Sequence, residues 1–346
     1  VLVSQLGFLR DHWYPVLRST DLGDEPHAIE LFGEPWVAWR SGENVSMVAG
    51  ICPHRAGRLA DGWIEDGHLT CPYHGWQFDG TGQCVLMPQL DESTPIPRRA
   101  RVTRAQVIER YGVVWACVGE HPVEPPVWVE AELGWRVYVE FFELWHASAL
   151  RIIDNNIDLS HPAFVHRRTF GDPAQARLVA DRIEETPLGF CVSFDRIAPG
   201  VATQTGVGLD ESLRIEQSTE IEVIAPLGTR IRLHADGAKD YCFFGAATPV
   251  DDKRSIYVRI SALEGDEDEQ PYGPFHEFGT RVKEEDRKIL EATPADFPID
   301  TTSEIHLRTD RSTIEYRRYL ARLSEIQPGE ITGTVQASDS VVGQRR

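Results

Sequence analysis

One stretch of twenty-five residues, CPHRAGRLADGWIEDGHLTCPYHGW from Cys52 to Trp76, restricts what this chain can become more than any other. It sets Cys52 and His54 in one short segment and Cys71 and His74 in a second. Two thiolates and two imidazoles split into mixed pairs can hold a two-iron, two-sulfide cluster, with the cysteines on one iron and the histidines on the other. Exchanging two thiolates for neutral imidazoles raises the reduction potential of such a cluster. Gly57 follows the first pair and Gly75 the second. A residue without Cβ there lets backbone amides approach sulfide. A structural zinc ion also accepts two Cys and two His. Zinc fingers, however, pair Cys with Cys and His with His along the chain, whereas each half-site here mixes the two.

The pattern C-P-H-R followed by C-P-Y-H-G-W resembles the motif of Rieske iron–sulfur proteins. The membrane-bound respiratory members of that group carry an extra cysteine in each cluster loop, joined as a disulfide. Here Pro53 and Tyr73 stand near those places. The resemblance therefore points to a cytoplasmic oxygenase or ferredoxin and away from a quinol-oxidising complex. Cys84, Cys117, Cys191 and Cys242 are widely spaced, mostly in apolar runs such as VVWACV and YCFFGAA, and read as buried free thiols.

At 346 residues the chain can build two domains, each with its own core. A formal net charge of −19 argues against nucleic acid or an anionic membrane surface as a partner. No uninterrupted apolar run approaches the roughly twenty residues a membrane helix needs. The opening VLVSQLGFLRDHWYPV has no basic segment ahead of an apolar core, so no signal peptide is expected.

From about Trp13 to Pro122 the chain reads as short strands broken by turns, an antiparallel β domain spanning 1–122 with the cluster on two adjacent loops. ELFGEPWVAWR and NVSMVAGICPH are strand-like around glycines. WQFDGTGQCVLMP reads as a hairpin, and RYGVVWACVG as a buried strand. The proline-rich HPVEPPVWVE marks a boundary, leaving 123–346 as a second domain. That half opens on a helical segment, ALRIIDNNIDLSHPAFVHRRTFG, and continues through FCVSFDRIA, LRIEQSTEIEVIA, TRIRLHAD, DYCFFGAATPV and SIYVRISAL as strands. Helices are predicted over 274–292 and 311–323. The fold class is thus α+β. The basic run RRARVTR at Arg98–Arg104 could dock an acidic ferredoxin, but a solvated strand is the favoured reading.

A second cluster of ligand-type residues lies in DNNIDLSHPAFVHRR. His161 and His166 are five apart, which on a regular helix sets their side chains about 140° from each other. Pro162 disfavours helical geometry in the residue before it, so the helix is expected to break at His161 and restart at Pro162. That break can swing His166 back beside His161. Mononuclear ferrous iron favours two histidines and one carboxylate on one face. The helix through KEEDRKILEA is the natural source of the carboxylate. Phe278, Val282, Ile289 and Leu290 define its inner face, with Asp286 near that face and Glu285 toward its edge.

Taken together, these residues resemble the catalytic subunit of a Rieske non-haem iron oxygenase over nearly the whole chain. The resemblance implies a C-terminal helix-grip (START-like) domain around an apolar pocket. Phe170, Val223 and Phe244 are candidate wall residues. The family motif Asn-x-x-Asp-x-x-His-x4-His falls on Asn155, Asp158, His161 and His166, and the third iron ligand falls on Asp286, in EED-x-x-x-L-E. Asp158 would link the two centres by accepting from His74 of one chain and from His161 of the next, in a head-to-tail homotrimer. Asn155 would support the iron loop or lie near dioxygen, or cap a helix. The implied cofactors are a [2Fe-2S] Rieske cluster, mononuclear Fe(II), dioxygen, and NAD(P)H acting through a separate reductase, directly or by way of a ferredoxin. The implied activity is hydroxylation or oxidative demethylation of a small organic molecule. DHWYPV and EIHLRTDRSTIEYRRYL resemble the monooxygenase and demethylase branch, including enzymes of alkaloid-type substrates. A cis-diol-forming dioxygenase and a non-catalytic electron carrier are the alternatives.

Overall fold

A computed structural model describes residues 1–199, 214–236 and 238–324. The N-terminal part is built from ten strands: β1 (Tyr14–Arg18), β2 (His27–Leu31), β3 (Glu34–Ser41), β4 (Asn44–Ala49), β5 (Trp63–Glu65), β6 (His68–Thr70), β7 (Gln77–Phe78), β8 (Cys84–Leu86), β9 (Gln106–Arg110) and β10 (Val113–Cys117). They form three antiparallel sheets, β1-β10-β9, β2-β3-β4 and β5-β6-β7-β8. Turn chemistry sets this order: Phe32 and Gly33 both take positive φ and close the β2–β3 hairpin with a tight two-residue turn. The first metal loop joins β4 to β5 and the second joins β6 to β7, so both leave the same end of neighbouring sheets. Beneath them lies a core of Val37, Trp39, Leu59, Leu69, Phe78 and Met87, to which Cys52 and Cys71 belong.

After a short helix α1 (Val129–Glu132), seven strands make one antiparallel sheet: β11 (Arg136–Trp145), β12 (Arg182–Glu185), β13 (Phe190–Pro199), β14 (Arg214–Ala225), β15 (Gly228–His234), β16 (Tyr241–Pro249) and β17 (Ser255–Leu263). β12 to β17 follow one another as a meander, and β11 adds beside β17 to give the order β11-β17-β16-β15-β14-β13-β12. Its concave side is covered by α2 (Ala149–Ile157), α3 (Pro162–Val165), α4 (Tyr272–Leu290) and α5 (Arg311–Leu323). The predicted C-terminal strands match β13 to β17 within a residue or two, while β11 and β12 are additional. Helix α5 falls on its predicted limits and α4 begins and ends two residues early.

The two parts share a core. Val16, Leu31 and Trp36 pack in one apolar cluster with Ile152, Ile153 and Tyr257, and Trp115 lies 5.4 Å from Phe244, ring to ring. This explains why every residue of β10 is buried: Val114 and Ala116 pack into the shared cluster on one face, and Val113, Trp115 and Cys117 pack with Phe244 and Val258 of the large sheet on the other. Thr248 Oγ1 donates to Pro15 O at 2.7 Å across the same junction. The proline-rich segment packs against the N-terminus, with Trp13 Nε1 donating to Val123 O at 2.7 Å. In the RRARVTR run, Ala100 and Val102 are buried and the four arginines exposed, as on a solvated edge.

Candidate metal centres

The two cluster loops are geometric twins. Cys52 N donates to Gly57 O at 2.9 Å and Cys71 N to Trp76 O at 2.8 Å, five residues on in each case. Ala56 N and Gly75 N, four residues on, return to the cysteine carbonyls at 3.1 and 3.0 Å. Each turn needs a left-handed residue. In the second loop it is Gly75 (φ +71°), as expected, but in the first it is Ala56 (φ +53°) and not Gly57. Gly57 serves a different end: a Cβ there would stand 3.2 Å from both Cys71 Sγ and Tyr73 Cβ, so its bareness lets the loops close on each other.

The imidazoles of His54 and His74 meet at 4.4 Å, and His54 stacks on Trp76 at 4.6 Å and 3°. Gln89 ties this wall together, accepting from Trp76 Nε1 at 3.0 Å and donating to His74 O at 2.8 Å. His54 Nδ1 is buried with no hydrogen-bond partner. A buried donor set of this kind calls for a ligand. Cys52, His54, Cys71 and His74 do not converge on one point as the ligands of a single tetrahedral zinc must. Among the described residues, the one set of three or more such side chains with all donor atoms within 4.8 Å is elsewhere. Two facing pairs suit a binuclear cluster.

That other set is His161, His166 and Asp286. Helix α2 buries Leu150, Ile152, Ile153 and Ile157 against the sheet and ends at Ile157. The break comes at Asp158 (ψ 125°), not at His161 as predicted. The Asp158 carboxylate accepts from Ser160 N at 2.7 Å, a local turn that competes with the helix before Pro162 can act. His161 is itself helical (φ −58°, ψ −35°) despite preceding proline, and Pro162 opens the next turn, α3. The outcome is the one expected, with the two imidazoles 5.3 Å apart at 73°. Gly171 lets the loop fold back: a Cβ on it would strike the carbonyl of Pro162 and the backbone of His166.

Asp286 arrives from α4. Its Oδ1 lies 3.6 Å from His161 Nε2 and 3.2 Å from His166 Nε2, and accepts from Asn155 Nδ2 at 3.2 Å. Each histidine is oriented through its other nitrogen. His161 Nδ1 lies 3.0 Å from the carbonyl of Asp158, and His166 Nδ1 lies 3.0 Å from Glu285 Oε2. Thr169 Oγ1 donates to that same Glu285 oxygen at 2.8 Å. With Nδ1–H held by an acceptor, the Nε2 lone pair of each ring is free for a metal. Burial lowers the pKa of His161, favouring the neutral ring. Burial acts in the same sense on His166, but Asp286 and Glu285 outweigh it and raise its pKa. Burial alone would raise Asp286, yet hydrogen bonding from His166 and the nearby imidazoles leave it below the usual carboxylate range. Two imidazoles and one ionised carboxylate fit non-haem ferrous iron.

The sequence offers Glu285 only as an edge alternative to Asp286, and marks neither it nor Thr169 as a support for His166. The KEED run looks like a solvated face, but only Glu284 is exposed there, since Lys283 is buried and reaches Glu143 at 2.5 Å. Ile289, expected on the inner face, is exposed, while Val282 lines the cavity and Leu290 is buried in the core. Glu285→Gln should weaken iron binding at this site about 10–100-fold, measured by chelator competition. Unchanged affinity would show that Glu285 does not support His166.

The triad sits at one end of a cavity on the concave side of the sheet, walled by Phe194, Ile221, Leu233, Phe243, Phe278 and Val282 among others. Of the candidate wall residues, Phe170 lines it and stacks on His166 at 4.7 Å. Val223 lies on the right face of β14 but beyond the cavity, in the core. Phe244 points to the opposite side of β16, where alternation gives Phe243 the inward place.

Two family models match the chain. The Rieske [2Fe-2S] domain matches 12–108, and the vanillate O-demethylase oxygenase C-terminal domain matches 145–325, just over half of the chain. The protein belongs to the Rieske non-haem iron oxygenases. Methylxanthine N1-demethylase NdmA of Pseudomonas putida is 29% identical over 338 residues, covering 94% of this chain and 92% of that one. The oxygenase component of dicamba O-demethylase from Stenotrophomonas maltophilia is 32% identical over 49% of this chain and 51% of its own. The structure of NdmA of Pseudomonas putida CBB5 with caffeine superposes with a TM-score of 0.80 at 25% identity, covering 98% of this chain and 100% of that one. This oxygenase is therefore an oxidoreductase that uses a Rieske cluster, mononuclear iron and dioxygen on a small organic substrate, with electrons from a separate donor component. Among the described residues no helix is long and apolar enough to cross a membrane.

Proposed function

We propose that His161, His166 and Asp286 hold the mononuclear iron, that Cys52, His54, Cys71 and His74 hold the Rieske cluster, and that the enzyme oxidatively demethylates or hydroxylates a small, ring-shaped organic molecule. The observation that supports this best is the convergence of two imidazole Nε2 atoms and one carboxylate oxygen at the end of an apolar cavity. Iron bound there would supply dioxygen activation and attack on a C–H bond or π system. The chain's own residues bind, orient and exclude water. Glu285 and the Asp158 carbonyl lock the two rings, and Asn155 steadies Asp286. The apolar walls position the substrate and keep the site dry, and Phe170 covers one face of His166. Demethylation is favoured over cis-diol formation by the named activities of NdmA, NdmB and dicamba O-demethylase.

The test is a panel of N-methyl and O-methyl aromatic and heterocyclic compounds given to anaerobically reduced enzyme and then exposed to oxygen. A product that has gained one oxygen atom, or has lost a methyl group as formaldehyde, supports the proposal. Oxygen consumption with products that are only cis-diols contradicts it.

The two family models flank the segment near Pro122, so we divide the chain into a cluster domain over 1–122 and a catalytic domain over 123–346. The cluster loops and the iron site belong to different cores. Tyr73 beside His74 is exposed, and the Asp158 carboxylate is about one-third exposed and lies 3.9 Å from His161 Nδ1. These surface positions suit a head-to-tail homotrimer in which Asp158 accepts a hydrogen bond from His74 of the partner subunit, joining cluster to iron. A reductase would draw electrons from NAD(P)H, directly or through a ferredoxin, and the four cysteines outside the cluster loops, none of them in a disulfide, suit a cytoplasmic enzyme. Asp158→Asn should leave both metals bound and slow reoxidation of the reduced cluster in single-turnover stopped flow. Unchanged reoxidation would reject the bridging role.

A further inference from the structure

Along β13 the inward-facing positions are Phe190, Val192 and Phe194, all buried and apolar, and then Arg196. A cation thus ends an otherwise greasy stripe inside the cavity. The β13–β14 register sets Gln217 opposite, and Arg196 Nε donates to Gln217 Oε1 at 2.8 Å. Among the described residues no carboxylate lies within ion-pair distance of this guanidinium. The other charged groups of the cavity are committed. Arg259 pairs with buried Glu140 at 3.1 Å, and Asp172 accepts from Ala174 N at 2.9 Å. Asp158 and Asp286 belong to the iron end. Arg196 is therefore the one cation of the described cavity wall with no anion of its own. Burial draws its pKa down to about 10, so it remains charged at neutral pH.

Its placement relative to the iron site is defined by stacking. The guanidinium lies over the Phe170 ring at 5.2 Å, and Phe170 in turn stacks on His166. The cation is thus one aromatic ring away from a ligand of the triad. Enclosing a guanidinium without a counter-charge is costly, and its planar fork matches a carboxylate with two parallel hydrogen bonds. A cavity meant only for neutral molecules would be better served by glutamine or leucine at this position.

We propose that Arg196 is a substrate-recognition residue, and that the substrate is a small aromatic or heterocyclic carboxylate whose anionic end is held by this fork while the bond to be attacked points at the His161–His166–Asp286 end. This rests on the triad being the iron site but is read out separately. The measurement is calorimetric binding, without turnover, of the methoxybenzoates, the matching methoxybenzamides and caffeine to the oxidised, metal-loaded enzyme. The carboxylates should bind roughly tenfold to a hundredfold more tightly than the amides. R196Q should abolish that preference while changing amide binding little, and R196K should restore part of it. Without ligand, R196Q should unfold at the same temperature as the native protein or higher, because no internal ion pair is lost; a purely structural role would lower that temperature. No preference for carboxylates in the native enzyme, or carboxylate affinity unchanged in R196Q, overturns the proposal. Failure to find mononuclear iron or oxidised product would count against the proposed function and leave this binding result standing.

Discussion

Asp286→Ala is expected to abolish substrate oxidation while leaving the visible spectrum of the cluster unchanged. Among the described residues, its carboxylate is the one that lies close to both His161 Nε2 and His166 Nε2, at 3.6 and 3.2 Å. Removing it leaves two neutral imidazoles, too few donors and no negative charge to hold a hard divalent ion. The loss should exceed the roughly 10–100-fold that follows removal of an outer partner. Asn155 Nδ2 also loses its acceptor. The cluster loops share no hydrogen bond with Asp286 and pack in a separate core, which is why their colour should persist. Iron analysis should show one iron fewer per chain. If Glu285→Ala behaves in this way and Asp286→Ala does not, the ligand assignment is wrong.

Cys71→Ser should have the complementary effect: loss of colour, of both sulfides and of two irons per chain, with the mononuclear iron retained. Cys71 is buried in the core beneath the loops, and its Sγ faces the bare face of Gly57. Serine is smaller and its hydroxyl is a far poorer ligand for a sulfide-bridged iron than a thiolate. Reductase-driven turnover should fall to background, since the cluster is the centre that passes electrons to the mononuclear iron. The loops should also lose stability, because cluster binding contributes directly to their folding, so the thermal midpoint should drop. A variant that remained coloured with an unshifted midpoint would remove Cys71 from the ligand set.

Much of this was legible because metal chemistry demands particular side chains at particular spacings. Cys52, His54, Cys71 and His74 stand out in any reading, and the loops that carry them obey turn rules visible in Gly75. The pairing of His161 with His166 was also legible through Pro162, although the break falls three residues earlier, where the Asp158 carboxylate accepts from Ser160 N in a turn just past the helix. What sequence could not reveal was partnership across long separations. Glu285 reads as a solvated acid until His166, more than a hundred residues away, is folded against it. Arg196 reads as an ordinary strand residue until β13 is registered against β14 and its side turns inward. Phe243 and Phe244 are equivalent by composition, and only the face of β16 decides which meets the substrate.

The proposed chemistry requires two separate iron centres in one chain, and the direct measurement is iron and acid-labile sulfide per polypeptide in anaerobically reconstituted protein. Three irons and two sulfides per chain are predicted, falling to two irons and two sulfides in Asp286→Ala. Two irons in the native protein, or three that survive the loss of Asp286, would contradict it.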